Sequence, residues 1–319
     1  MEVKMKKQKV FLDCDPGHDD AINIMLAHAY PELELVGISV VAGNQTIEKT
    51  TVNALNVCQY LGIMDVPVAA GCGNAMVKPR EICPEIHGTT GIDGPTFEPL
   101  VKKADPRHGV QLMIDTLMAA EDHEIMVVPT GPLTNVAMAL RMEPRIIPKI
   151  KRIVLMGGSY QNGNVTPAAE FNIHCDPEAA YVVFTSGVPI TMVGLDVTRK
   201  VLCYPEIVDR MAKIDNKASH LFVDLMRFFN KTQKEVFGWE GGPTHDPVTC
   251  ASIIDPELLT TRFCHVSVDI KSEESYGRTN ADIFEFFRRG EPNCDVAVDI
   301  NVERFWDIIE QGIRYYGDK

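Results

Sequence analysis

The chain has 319 residues, 45% of them hydrophobic and 24% charged, which is the balance of an ordinary folded protein rather than a disordered one. At this length roughly three quarters of the unfolded surface can be buried, so a core needs no disulfide or metal staple. A formal charge of −13 repels phosphate backbones and anionic lipid, which argues against nucleic acid and membrane surfaces as partners.

Lys4, Lys6, Lys7 and Lys9 imitate the start of a secretory leader. Only Val10, Phe11 and Leu12 follow before Asp13, too few to complete one, and no window reaches the ~18 apolar residues of a membrane helix. Lys9–Asp13 reads as a buried strand, followed by a helix over Asp20–Ala29. A strand at Leu33–Val41 leads into a helix from about Thr46 to Leu61. Further strands are predicted at Glu124–Pro129, Arg152–Met156 and Pro189–Val193, with helices near Leu133–Arg141 and Glu178–Ser186. Asp176-Pro177 and Asp246-Pro247 each place a good N-cap before a proline at the first helical position. From about Pro205 to Trp239 the pattern is mainly helical, with Phe222, Leu225, Met226 and Phe229 on one apolar stripe that reads as core. A strand near Cys264–Ile270 and a helix from about Val302 to Tyr316 close the chain. Alternating apolar strands and helices predict an α/β fold, a mostly parallel central sheet with helices on both faces in an open, Rossmann-like arrangement. We expect one domain over 1–319 with an added, mainly helical portion at about 205–260. Nine cysteines, an odd number without a CxxC pair, point to reduced thiols in the cytoplasm.

The chemistry concentrates in Asp13-Cys14-Asp15-Pro16-Gly17-His18-Asp19-Asp20, between a strand and a helix. In parallel α/β sheets, ligands bind at the carboxyl ends of strands, where this loop lies. Crowded carboxylates repel one another and a bound cation relieves the repulsion; hard oxygen donors select Ca²⁺ or Mg²⁺. Asp19 and Asp20 would also serve as simple dipole partners in a first helical turn, at about 0.3–1 kcal/mol each. That does not account for Asp13 and Asp15 at the strand end. His245-Asp246 pairs an imidazole with a carboxylate, a combination suited to a general acid beside a cation. Glu170-Phe171-Asn172, reached through Asn162-Gly163-Asn164, offers hydrogen bonds to neutral hydroxyls. Thr130-Gly131-Pro132 is a strand-to-helix turn whose carbonyls suit a hard cation, or simply a turn.

Asp13-Cys14-Asp15-Pro16-Gly17-x-Asp19-Asp20 closely resembles the opening signature of the inosine–uridine-preferring nucleoside hydrolases. The likeness continues through Val41-Ala42-Gly43-Asn44, Pro129-Thr130-Gly131-Pro132-Leu133-Thr134-Asn135, Met156-Gly157-Gly158, Glu170-Phe171-Asn172 and His245-Asp246, in the family's order. Ile86-His87-Gly88 and the Lys231-Thr232-Gln233 helix look most like the bacterial pyrimidine-specific members. This resemblance implies Ca²⁺-dependent hydrolysis of the N-glycosidic bond of ribonucleosides, pyrimidine-preferring, with a nonspecific inosine–uridine enzyme as the alternative. It implies one Ca²⁺ per subunit held by Asp15, Asp20, Asp246 and the Thr130 carbonyl. Asp15 would be the base that deprotonates the attacking water, with Asp13 behind it. Asp19, Asn44 and Asn172 would hold the 2′ and 3′ hydroxyls, Asn164 and Glu170 the 5′ hydroxyl, and Met156 would line the ribose. His245 would protonate a departing purine, with His87 and Gln233 assisting at the base. Family members are commonly homodimers or homotetramers, so the resemblance also implies a homo-oligomer.

One departure touches base preference. Pyrimidine-specific relatives tend to carry a tyrosine four residues after the matching glutamine, and this chain has Phe237. Two rival functions predict different residues. A haloacid-dehalogenase-like phosphatase needs Thr or Val two residues after the second Asp, where Gly17 stands. A non-catalytic nucleoside sensor has no need of a base at Asp15. Loop closure over the pocket is expected around His87–Gly94 and Phe229–Gly242.

Overall fold

The computed structural model describes residues 7–286 and 290–317. Its strands are β1 (Gln8–Cys14), β2 (Leu33–Val40), β3 (Val68–Ala70), β4 (Ile125–Pro129), β5 (Ile150–Met156) and β6 (Ile190–Val193). They are followed by β7 (Leu202–Cys203), β8 (Gly242–Pro243), β9 (Leu259–Cys264), β10 (Val266–Val268), β11 (Thr279–Ala281) and β12 (Cys294–Ile300). Eight of these form one sheet in the order β3-β2-β1-β4-β5-β6-β12-β9. All its pairings are parallel except β12 with the edge strand β9.

Val10, Phe11 and Leu12 are fully buried because β1 is covered on both faces, which is why the sequence there is a continuous apolar run and not an alternating one. The chain runs outward from β1 through β2 to β3, then returns to place β4 on the other flank of β1. Such a reversal opens a crevice beyond the strand ends. Asp13 pairs in register with Pro129, so the loops after β1 and β4 leave the sheet side by side. The helix Lys217–Phe237 crosses near that crevice. Asn216 caps it by accepting from Ser219 N at 2.8 Å, and Gly238 ends it in the left-handed region at φ 73°. Its stripe Phe222, Leu225, Met226 and Phe229 is buried, as the spacing predicts.

Two local expectations change, and one strand of the main sheet goes unread. The strand expected at Cys264–Ile270 is divided: Cys264 ends β9 in the main sheet, and Val266–Val268 pairs with β11 in a separate ribbon. β12 escapes the sequence reading although Cys294 and Val296 are fully buried, because Asp295 and the exposed Asp299 interrupt its short apolar run. Asp176 caps its helix, accepting from Ala179 N at 3.1 Å, but Asp246 sits in helical backbone and makes no side-chain cap. Its carboxylate is turned to other use. Among the described residues no helix is long and apolar enough to cross a membrane, and all nine cysteines are free.

Candidate active site

The crevice holds four buried aspartates brought from distant parts of the chain. Asp15 follows β1, Asp19 and Asp20 occupy the first turn of the helix His18–Ala29, and Asp246 precedes the helix Pro247–Ile254. Asp19, Asp20 and Asp246 each place an oxygen within 4.8 Å of the other two. Asp20 accepts from Gly17 N at 2.9 Å, from Asn44 Nδ2 at 3.3 Å and from the Thr130 hydroxyl at 2.8 Å. Asp19 accepts from the main-chain N–H groups of His245 and Asp246, at 3.2 and 3.4 Å. Asp15 accepts from Asn44 N at 2.7 Å through Oδ2, while its Oδ1 is buried without a hydrogen-bond partner. Behind it, Asp13 accepts from Ser39 and Asn135 through Oδ1.

Packing these groups together has an electrostatic cost. Burial, then the neighbouring Asp20, pushes Asp15 well above the usual carboxylate range. Burial and then Asp19 and Asp20 do the same to Asp246, and burial with Asp20 raises Asp19 to about 7. A bound divalent cation reverses this balance by favouring the ionised forms. The all-oxygen donor set and the unpartnered Asp15 Oδ1 fit a hard cation. The tightest trio includes Asp19 rather than Asp15, so the ligand set inferred by resemblance shares Asp20 and Asp246 with it.

The wall above the aspartates is neutral and polar. Asn172 Nδ2 donates to the Thr130 carbonyl at 2.8 Å and to the Met156 carbonyl at 3.2 Å, tying the ends of β4 and β5 together. Glu170 receives three main-chain N–H groups, those of Gly158 at 2.8 Å, Asn172 at 2.9 Å and Ile173 at 3.1 Å. Burial nevertheless raises it. Asn164 accepts from Phe171 N at 2.9 Å. Asn44, Met156, Asn164, Glu170 and Asn172 all line one cavity of about 680 Å³, together with Asp19 and Asp246.

The other end of that cavity is lined by His87, Phe229, Gln233, Phe237, Trp239 and His245. Gln233 Oε1 is buried and unpartnered. His245 Nδ1 lies 2.7 Å from the Thr198 hydroxyl, and burial followed by the Arg199 charge lowers its pKa to about 3. Phe237 is half exposed and stacks on Trp239 at 5.1 Å between ring centroids, so it sits at the mouth. Every candidate site residue from the sequence therefore lies at the crevice. Within the segment His87–Gly94, Asn53 Nδ2 donates to Thr90 O at 3.0 Å and His18 Nε2 to Asp93 O at 2.8 Å. His18, Thr198 and Arg199 went unnoticed in the sequence. The last two follow β6, so the rule that strand ends carry ligand contacts would have flagged them; His18 occupies the variable position of its motif and gave no signal.

The family model for inosine-uridine preferring nucleoside hydrolase matches residues 10–307. The chain belongs to this family. It is 50% identical over 313 residues, covering 98% of this chain and 99% of the relative, to the pyrimidine-specific ribonucleoside hydrolase RihB of Escherichia coli (strain K12). The RihB of Escherichia fergusonii matches to the same extent. Among solved structures, the purine-preferring ribonucleoside hydrolase from Gardnerella vaginalis superposes with a TM-score of 0.90 at 34% identity, covering 97% of this chain and 99% of that one. The plant nucleoside hydrolase PpNRh1 gives 0.90 at 30% identity with the same coverage. This member of the nucleoside hydrolases thus has the family's mostly parallel sheet, and it is an N-glycosidase with its acidic trio in the crevice where β1 and β4 diverge.

Proposed function

We propose that the protein hydrolyses pyrimidine ribonucleosides, uridine and cytidine, to free base and ribose with Ca²⁺ as cofactor. The unpartnered, buried Oδ1 of Asp15 beside three further aspartates carries this reading. Asp15, Asp20, Asp246 and the Thr130 carbonyl would hold the ion; when bound, Ca²⁺ supplies the positive charge that orients a water and a sugar diol. Asp15 Oδ1 takes the proton of the attacking water. Asp19, Asn44 and Asn172 orient the 2′ and 3′ hydroxyls, while Asn164 and Glu170 hold the 5′ hydroxyl and Met156 lines the ribose. As the base departs, positive charge develops on the sugar, and the aspartate floor stabilises it.

At the far end, His245, neutral at rest, donates a hydrogen bond to the departing base and becomes its proton donor once it is protonated with substrate bound, and His87 and Gln233 hydrogen-bond the base. The 50% identity to enzymes named as pyrimidine-specific supports the base preference. Phe237 and the 680 Å³ cavity, which has room for a purine, support the alternative of a nonspecific inosine–uridine enzyme. We also propose one functional domain, a homotetramer or homodimer, and a cytoplasmic location. Exposed Phe263 and Phe284 support an oligomer, and nine free thiols support a reducing compartment. A steady-state panel of uridine, cytidine, inosine, adenosine and thymidine, with and without chelator, tests the whole reading. Free base from uridine and cytidine, lost on chelation and restored by Ca²⁺, is the expected result; phosphate release from phosphomonoesters with no base released would overturn it.

A further inference from the structure

Beneath the base end of the cavity two imidazoles meet edge to edge. His18 Nδ1 lies 3.1 Å from His87 Nδ1, and His18 Nε2 lies 2.8 Å from the main-chain carbonyl of Asp93. His18 is also packed in a stack against Phe228 at 5.3 Å and Phe229 at 5.5 Å, so its ring has no freedom to flip. Both histidines are buried, which disfavours the charged form.

The hydrogen positions follow from what each partner can do. A carbonyl oxygen only accepts, so the proton of neutral His18 resides on Nε2 and its Nδ1 carries a lone pair. Two nitrogens 3.1 Å apart need one proton between them, and His18 has none left to give. The proton must be that of His87 Nδ1. The His18 main-chain N–H, 3.4 Å from the same nitrogen, favours the opposite tautomer, but it is the longer contact. Among the described residues none bonds His87 Nε2, and the ring lines the cavity.

We propose that His18 is a positioning residue that locks His87 in its Nδ1–H tautomer, so that the Nε2 lone pair faces a bound nucleoside as a hydrogen-bond acceptor. His87 therefore receives a donor, either a base N–H or a sugar hydroxyl, and gives no proton in the resting enzyme. The second half of this proposal rests on the nucleoside-hydrolase reading above; the tautomer does not. Asp93 takes part through its main chain. Its carboxylate meanwhile accepts from Thr89 N and Thr90 N at 2.9 and 3.0 Å, which fixes the carbonyl toward His18.

Nitrogen-15 NMR of the full-length protein labelled at histidine, with Ca²⁺ present, reads the tautomer directly. Wild type and His18→Asn, whose Oδ1 can replace the imidazole acceptor, should show the proton on His87 Nδ1; His18→Leu should move it to Nε2. A wild-type His87 protonated on Nε2, or a His18→Leu spectrum with Nδ1–H unchanged, would overturn the lock. In kinetics, His18→Leu should raise KM for uridine about tenfold with a far smaller change in kcat, the signature of one lost ground-state hydrogen bond, and His18→Asn should restore it. The two donor sources separate with 3-methyluridine, which lacks the base N–H, and 2′-deoxyuridine. Whichever removes the donor should lose about tenfold more in wild type than in His18→Leu. Equal penalties for both analogues in both proteins would overturn the acceptor role. Failure of wild type to hydrolyse any ribonucleoside strikes the function proposed above, and the NMR result still decides the tautomer.

Discussion

A Cβ placed on Gly43 would stand 2.1 Å from Asp15 Oδ2, so the loop after β2 and this carboxylate share space that only a glycine leaves open. Gly131, after β4, is the counterpart on the other side, with a Cβ 2.6 Å from Asp15 Oδ1. Neither glycine needs an unusual backbone angle; each is needed for closeness. Asp15 is thus clamped between the two loops that the sheet reversal brings together.

Gly43→Ala should displace the Asp15 carboxylate, because a buried aspartate hemmed in from both sides has nowhere to retreat. We expect a loss of about 1–3 kcal/mol in stability from overpacking. Turnover should fall by at least as large a factor as that energy implies. Thermal unfolding and steady-state rates check this; full activity with an unchanged midpoint would remove the clamp.

Asp15→Asn keeps the shape of the side chain and removes its basicity. The folded protein should persist, with an unchanged far-ultraviolet circular dichroism spectrum. Turnover should drop about 10²–10⁴-fold, the usual contribution of a general base. Near-normal activity would take the proton-accepting role away from this residue.

The metal-free protein should lose stability as pH rises. Burial lifts Asp13 and, with help from Asp20, Asp19 to about 7 from an ordinary 3.8. The folded state therefore holds these protons more tightly than the unfolded chain does. The stability they contribute is complete below about 3.8 and is lost as pH climbs through 7. Chelated protein should melt at a lower temperature at pH 8 than at pH 5.5. Added Ca²⁺, which favours the ionised forms, should raise the midpoint more at pH 8 than at pH 5.5. A chelated protein whose midpoint is flat across that window would contradict the picture.

His245→Ala should slow inosine more than uridine. A purine leaves most readily when protonated on its ring, whereas uracil departs more easily as an anion-like group. The comparison needs both kcat/KM values measured in the same protein. An equal loss on both would contradict the assignment of the proton donor.

Much of this was legible in the sequence, for identifiable reasons. Val10-Phe11-Leu12 announces a strand covered on both faces, and Asp15, Asp19 and Asp20 follow it within one turn of chain, so the loop could be placed at a strand end before any fold was known. Asp246 and Asn172 could be tied to that loop only through family resemblance, because nothing local reveals that residues this far apart converge. The same limit explains what was missed. Asp246-Pro247 carries a helix-capping pattern, yet tertiary repulsion and attraction at the aspartate floor outweigh a cap. His18 is silent as a letter and becomes informative only when His87 and Asp93 are set against it. β12 escapes because Asp295 and Asp299 interrupt a run of only seven residues.

The cavity's two ends are borrowed from different architecture. Asp15, Thr130 and Met156 stand at or just past the ends of β1, β4 and β5 in the middle of the sheet, whereas Phe229, Gln233 and Phe237 ride on a single amphipathic rod. Exchanges along that rod reshape one end of the cavity and leave the strand ends in place. A scaffold of this kind lets new substrates be acquired through one helix, a few letters at a time.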